Sequence, residues 1–335
     1  MTLRHAQSAA PTRIDLAGGT LDIWPISHWI EGAVTVNLAV DLMANASVRP
    51  RRDRRLEIRS VDRGRNSLHD FPLSASAFRG PLSWLVRLTQ AFAPGVPLTL
   101  TCEAEAPAGA GLGGSSSLGI AVGAALARAT GERLSKDALL RRVMNLETRE
   151  IGVPTGNQDY LAALWGGLAA YQHGLDGVVR HPLPHAGELS SRLVLAYTGQ
   201  PRQSGFSNWD MFRRYVEKDA ATTRRLETIA RLARSMRDAV LAGDLDEIGR
   251  LLGEEGRLRY SLAPSVATDP LRAADVAARR AGALGAKVCG AGGGGCMVAF
   301  VREGRRDDVA RAIARTGATL LGVRVARRGV AVSAR

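Results

Sequence analysis

Three groups of residues in this chain have the types and spacing to do chemistry. The densest is Pro107-Ala-Gly-Ala-Gly-Leu-Gly-Gly-Ser-Ser-Ser-Leu118, in which Gly109, Gly111, Gly113 and Gly114 run into Ser115, Ser116 and Ser117. A glycine-rich turn that feeds serines into a helix start leaves backbone N–H groups unpaired. Those groups and the helix dipole together suit phosphate oxygens. Glycine lets the backbone approach a phosphate where a Cβ would obstruct, and a serine hydroxyl is a suitable Mg2+ ligand. The second group is acidic. Glu147 falls in the middle of an apolar helical stripe of Leu140, Val143, Met144 and Ile151, where an unpaired carboxylate is costly and calls for a cation or a hydrogen-bond donor. Glu150, nearer the stripe's edge, reads as a solvated partner for an arginine. The third is Asp159, which follows the turn Gly152-Val-Pro-Thr-Gly156 and precedes a short apolar helix. That position is open to a chemical role or to a helix N-cap.

Other readings of the loop can be weighed on sequence. Gly109-Ala-Gly-Leu-Gly-Gly114 fits G-x-G-x-x-G, but its helix is followed by another helix. A dinucleotide fold needs a second strand with a terminal acid there. No G-x-x-x-x-G-K-[ST] occurs, which excludes a P-loop. A glycine turn that merely lets a helix pack closely is the remaining alternative to an ATP-phosphate cradle.

The 335 residues suffice for a large core split over two domains. A net charge of +13 raises nucleic acid as a partner. The arrangement of the charge argues against one. Only Lys136, Lys218 and Lys287 are lysines; the arginines are spread along the chain and interleaved with acids, as in Arg224-Arg-Leu-Glu227. The densest run, Arg51 to Arg55, reads as a solvated hairpin tip. Aromatics are 5% of the chain and make no stacking pattern with the basic residues. The charge is therefore surface chemistry with some steering of anionic substrates. Cys102, Cys289 and Cys296 are odd in number and lack metal-ligand spacing, so buried thiols in a reducing compartment are expected. No leader pattern and no membrane-length apolar run is present, which points to a soluble, cytoplasmic protein without a membrane partner.

The elements that must position these groups follow from periodicity. Strands are expected at Ala10–Ala17, Ala33–Val48 (one strand or two), Leu56–Val61 as its partner, and Val96–Glu105. Helices are expected at Pro81–Phe92, Gly119–Thr130 and Lys136–Ile151, then a short one after Asn157-Gln-Asp-Tyr160. Another strand opens at Gly166. A Pro-rich shift at His181–Gly187 divides the chain into residues 1–185 and 186–335. Beyond it come a strand at Ser191–Tyr197, two long helices, and a helix at Pro270–Gly282. Two strands joined by Gly290-Ala-Gly-Gly-Gly-Gly295 follow, then a helix at Arg306–Ala314 and a last strand at Val323–Val332. The alternation is α+β in both halves.

Three glycine-rich motifs in order resemble those of the GHMP small-molecule kinases, which include galactokinase, homoserine kinase, mevalonate kinase and phosphomevalonate kinase. They are Ala10-Pro-Thr-Arg-Ile-Asp-Leu-Ala-Gly-Gly-Thr-Leu-Asp22, the Pro107–Ser117 loop, and Lys287-Val-Cys-Gly-Ala-Gly-Gly-Gly-Gly295. The resemblance spans nearly the whole chain. It implies a two-domain α+β fold, with an N-terminal domain like ribosomal protein S5 domain 2 and a ferredoxin-like C-terminal domain. It also implies ATP along the central loop, with Pro107, Gly109, Gly111, Leu112, Gly113, Gly114 and the serines as its contacts. Mg2+ is implied on Glu147 and on Ser115 or Ser116; the extra glycine and serine in Gly-Leu-Gly-Gly-Ser-Ser-Ser leave the choice of serine open. Asp159 would orient or deprotonate the acceptor hydroxyl, and Arg13 would offset charge on the transferring group. Asp22, Gly18, Gly19 and Thr20 would meet the acceptor, Gly292 and Gly293 would close the cleft over it, and Arg202 would meet a substrate phosphate.

Within the family, Gly156-Asn-Gln-Asp-Tyr160 and Tyr197–Ser204 look most like the D-glycero-D-manno-heptose 7-phosphate kinase and fucokinase branch. Tyr160 stands where that branch usually has glutamine, and Gly-Gly-Thr-Leu-Asp where it has Gly-Gly-Gly-Thr-Asp. The expected substrate is a small sugar or sugar phosphate, phosphorylated at the anomeric C1 hydroxyl. A mevalonate-type kinase and a non-catalytic sugar and ATP sensor are the alternatives, and a homodimer is left open.

Overall fold

The computed structural model describes residues 3–201, 206–262 and 266–334. The first half runs β1 (Ala6–Ala17), α1 (Ile26–Trp29), β2 (Val34–Pro50), β3 (Arg55–Ser60), β4 (Arg65–Asp70) and a 3-10 turn (Ala75–Phe78). It continues with α2 (Ser83–Phe92), β5 (Leu98–Ala104), α3 (Gly114–Thr130), α4 (Lys136–Ile151), α5 (Gln158–Trp165), β6 (Leu168–Gly174) and β7 (Gly177–Pro182). The second half runs α6 (Ala186–Ser191), β8 (Leu193–Tyr197), α7 (Phe206–Val216), α8 (Ala220–Ala242), α9 (Leu245–Tyr260) and α10 (Asp269–Arg280). It ends with β9 (Ala283–Val288), β10 (Cys296–Val301), α11 (Arg306–Ala314), β11 (Thr319–Leu321) and β12 (Ala331–Ala334).

The first sheet has the order β12-β1-β2-β5-β3-β4, and β6 with β7 adds to the N-terminal part of β2. The alternation of residues 33–48 yields one continuous strand whose two ends serve different neighbours. Val34–Leu38 pairs with β6, and Ala44–Pro50 pairs with β5. Two sequence expectations are corrected here. β3 is not the partner of β2, because β5 lies between them, antiparallel to β2 and parallel to β3. The arginine run at residues 51–55 is solvated as expected but is a crossing between non-adjacent strands rather than a hairpin tip.

The second sheet, β11-β8-β10-β9, is antiparallel and carries α9, α10 and α11. One apolar core lies between the first sheet and α2 to α5. A second core joins the two bodies: Ile14, Val36 and Leu38 of the first sheet meet Met236, Leu252, Val298 and Phe300 of the second. Each such fully buried side chain contributes about 1.5–3 kcal/mol. Residues 323–330 do not form the expected strand. A single bridge at Val325 and two backbone bonds tie them to β2, with Ala326 N–H on Ala39 O at 3.0 Å. The rest go to α5 and the loop after it, with Val330 N–H on Ala163 O at 2.7 Å and Gly167 N–H on Ala326 O at 2.8 Å. The chain then returns to the first sheet, where β12 pairs with β1 at Ala6–Ala9. Cys102, Cys289 and Cys296 are buried. No helix among the described residues is long and apolar enough to cross a membrane.

Candidate active site

Because β12 covers β1 only as far as Ala9, the rest of that edge is open, and the glycine loop docks on it. Arg13 N–H donates to Leu112 O at 3.0 Å, and Ser117 Oγ donates to Pro11 O at 2.8 Å. Ser117 is thus committed to the framework and is fully buried, which corrects the expectation that it contacts nucleotide. Gly113 caps α3 in the left-handed region (φ +75°), where a side chain is strained, and α3 starts at Gly114 without a side-chain cap. Its first N–H groups are therefore free to take an anion. The helix behind them is buried nearly all round. At Gly119 a Cβ would lie 2.6 Å from Val143 Cγ1, so small residues are what let α4 pack so close. The loop from Pro107 to Ser116 lines a hollow of about 360 Å³. Its far wall holds Leu82, Trp84, Leu85, Ile151 and Val153, an apolar surface that no motif announced.

Glu147 projects into this hollow from α4 and is 7% exposed. Its Oε2 accepts from Tyr160 Oη at 2.5 Å and from Ser116 Oγ at 3.1 Å, and Ser115 also donates to the carboxylate. Burial pushes its pKa up. No Lys or Arg among the described residues forms an ion pair with it, so a buried carboxylate is surrounded by neutral hydroxyls. A carboxylate in such a surrounding could ligate a cation. Among the described residues no group of three or more His, Cys, Asp and Glu is poised to hold a metal. A hard cation that keeps phosphate oxygens and water as its other ligands does not need one. Ser115 is exposed to the hollow while Ser116 is buried against Glu147, which favours Ser115 as the hydroxyl open to a metal. Glu150 pairs with Arg87 and Ser83 of α2, the arginine partnership its edge position suggested.

A second hollow adjoins the first, and Asp159 and Gly156 line both. Asp159 is not the N-cap of α5. It sits in the first turn, and its Oδ1 lies 2.5 Å from Arg13 Nη2. Arg13 Nη1 donates to Gly111 O at 2.6 Å, tying the acid to the glycine loop. Asp22 closes the far side. Its oxygens accept Thr20 N–H at 3.0 Å and Gln158 N–H at 2.9 Å, so it staples the first motif to the start of α5. Burial, aided by the charges of Asp159 and Asp15, raises its pKa to about 6.

Behind this hollow lies a feature that motif reading missed. Asp15, Glu255, Arg259 and Lys287 form a buried ion network across β1, α9 and β9. Lys287 Nζ is 3.2 Å from both Asp15 Oδ2 and Glu255 Oε2, and Arg259 Nη2 is 2.9 Å from Glu255 Oε1. The network grips the first motif by its backbone: Gly18 N–H donates to Glu255 and Arg259 donates to Gly19 O at 2.6 Å. A Cβ on Gly19 would lie 2.4 Å from Asp15 Oδ2. The available signal was Asp15 between Ile14 and Leu16 in β1 and a lone Lys287 in an otherwise apolar β9.

The third motif meets the second backbone to backbone. Cys296 N–H donates to Ala110 O at 2.8 Å, and a Cβ on Gly111 would lie 2.3 Å from Cys289 O. Gly290 and Ala291 line the second hollow. Gly292 and Gly293, expected there, turn instead toward Val266, with Gly293 N–H on its carbonyl at 2.9 Å. Gly18 likewise lies behind the hollow rather than in its wall, while Gly19 and Thr20 line it. Arg202 lies outside the described residues.

Comparison with known proteins agrees with this arrangement. Residues 82–167 match the model described as GHMP kinases N terminal domain, and residues 236–319 match GHMP kinases C terminal. A mevalonate kinase from Pyrococcus horikoshii is 33% identical over 64% of this chain and 62% of its own length, so the chain spans less than two thirds of that relative. A D-glycero-alpha-D-manno-heptose 7-phosphate kinase from Campylobacter jejuni is 25% identical over 93% of this chain and 94% of its own. The crystal structure of a D-glycero-D-manno-heptose 1-phosphate kinase from Bacteroides thetaiotaomicron superposes with a TM-score of 0.75 at 24% identity, covering 98% of each chain. With the three glycine motifs converging on two adjoining hollows, the chain belongs to the GHMP kinase family and has its two-domain fold.

Proposed function

We propose that this protein is an ATP- and Mg2+-dependent kinase that phosphorylates a hydroxyl of a small sugar or sugar phosphate. The observation that carries the reading is the position of Asp159 on the wall shared by a glycine-lined hollow and an acid-lined one. Phosphoryl transfer needs mainly positioning and charge neutralisation. The N–H groups at the start of α3 hold the nucleotide phosphates. Glu147 and Ser115 would hold Mg2+, which when bound would neutralise charge on the phosphate oxygens. Asp159 orients the acceptor hydroxyl and takes its proton, and Arg13 fixes the acid's position.

The acceptor hollow favours a polyol. Asp15, Asp22 and Asp159 line it, while Arg13 and Arg259 there are already bonded to Asp159, Glu255 and backbone carbonyls. A neutral ring brings hydroxyl donors to such a site, whereas a carboxylate ligand meets like charge. The anomeric C1 hydroxyl as acceptor rests on likeness to the heptose kinase branch. A mevalonate-type kinase is the second reading, supported by the 33% identity over the matched region.

An ADP-release screen with mannose, fucose, galactose, heptose 7-phosphates and mevalonate tests both. Turnover on a sugar is expected, falling by about 10²-fold in Asp159→Asn. Turnover on mevalonate alone overturns the sugar assignment, and full activity in Asp159→Asn removes that residue from the mechanism.

A further inference from the structure

Tyr160 is one of two places where this chain departs from the branch it most resembles, and the structure gives it a partner that the sequence did not. Its ring is 1% exposed in the core beneath α5, and its hydroxyl is aimed at Glu147 Oε2, 2.5 Å away. Ser116 Oγ donates to the same oxygen. The Tyr160 and Ser116 hydroxyls on Oε2, with Ser115 also donating to the carboxylate, fix its rotation. Consecutive helical residues point about 100° apart. One turn of α5 therefore sends Asp159 toward Arg13 and Tyr160 toward Glu147. Buried groups that hydrogen-bond a metal's carboxylate ligand set its orientation, and their loss typically costs 10–100-fold in metal affinity.

Resting on the kinase reading above, we infer that Tyr160 is a positioning residue for the divalent cation, holding Glu147 in its ligating orientation from the same helical turn that carries the acceptor acid. One turn of α5 then carries Asp159 and also orients Glu147 on the neighbouring α4. Tyr160→Phe removes the hydroxyl and keeps the ring that fills the core, so the fold is retained.

The test titrates Mn2+ into the protein saturated with a non-hydrolysable ATP analogue, followed by electron paramagnetic resonance, with thermal melting alongside. Tyr160→Phe is expected to weaken Mn2+ binding by about tenfold or more, leaving the analogue's metal-free affinity as in the wild type. A folded Tyr160→Phe protein that binds Mn2+ as the wild type does overturns the inference, even if its melting temperature falls, because that is the signature of a purely structural hydroxyl. Glu147→Gln is titrated in parallel. If it too binds Mn2+ normally, the metal site itself is wrong and the inference falls with it; if only Tyr160→Phe is silent, the metal site stands and the positioning role fails.

Discussion

The two hollows that meet at Asp159 are built from different materials. The nucleotide side is largely backbone: a left-handed Gly113, the bare N-terminus of α3, and glycines that let Cys289 and Ala110 approach. The acceptor side is made of side chains, with seven charged groups drawn from β1, α5, α9, β9 and the loop after β1. Backbone recognition suits a ligand whose phosphates do not vary. A side-chain wall can change with the acceptor while the loop stays as it is, which is how one fold serves several substrates.

Removing one member of the ion network should break the acceptor side most severely. Lys287→Met keeps the volume of the side chain but leaves buried Asp15 and Glu255 with Arg259 as the one cation of the network. The expected loss of stability is about 3–5 kcal/mol in denaturant unfolding. A loss below about 1 kcal/mol would mean that the network is no more than a packed interior.

Asp22 sharpens the same contrast through pH. Its carboxyl keeps a proton in the folded protein up to about pH 6, against 3.8 as an ordinary aspartate. The stability it contributes is present below about pH 4 and is lost as pH rises through 6, a change on the order of 2–3 kcal/mol. Melting profiles of wild type and Asp22→Asn should therefore diverge across that window. Parallel profiles would show that the site is better solvated than its burial implies.

The smallest expected effect separates two adjacent glycines. At Gly114 a Cβ meets nothing within 4 Å, so Gly114→Val obstructs only a bound phosphate, with a loss in ATP affinity of about tenfold, or 1.4 kcal/mol. Gly113→Val strains a φ of +75° and pushes a Cβ to 3.0 Å from Asp159, so it should harm both hollows. Unchanged ATP affinity by calorimetry in Gly114→Val would count against the cradle.

Much of this was legible from local pattern. Helices α4 and α11 have the limits that their apolar periodicity and flanking glycines set, Ser135 capping the one and Gly152 ending it. The glycine loop was readable because its chemistry lies in contiguous residues. What escaped was non-local. Nothing in β3 or β5 says that they pair parallel to each other and that β5 in turn pairs antiparallel to β2, since register depends on which apolar faces meet across the fold. Lys287 and Asp15 are 272 positions apart, and each alone reads as an oddity in a strand. Gly292 and Gly293 share the composition of Gly290, and only the fold decides which of them faces the acceptor. Glu147 stood out because a buried carboxylate is conspicuous in an apolar stripe, but its tyrosine partner lies on the next helix and carries no periodic signal.

The return of β12 to the first sheet changes how the two bodies are joined. The second sheet and its helices lie between β7 and β12 in the chain, so they form an insertion anchored at both ends rather than an appendage on one linker. An insertion held at two points loses much of the swing that a single connection allows, and its docking closes a loop whose ends are already near each other. Clipping Ala331–Ala334 would remove the pairing with β1 and leave the second end held by residues 324–330 alone, through their bonds to β2, α5 and the loop after it.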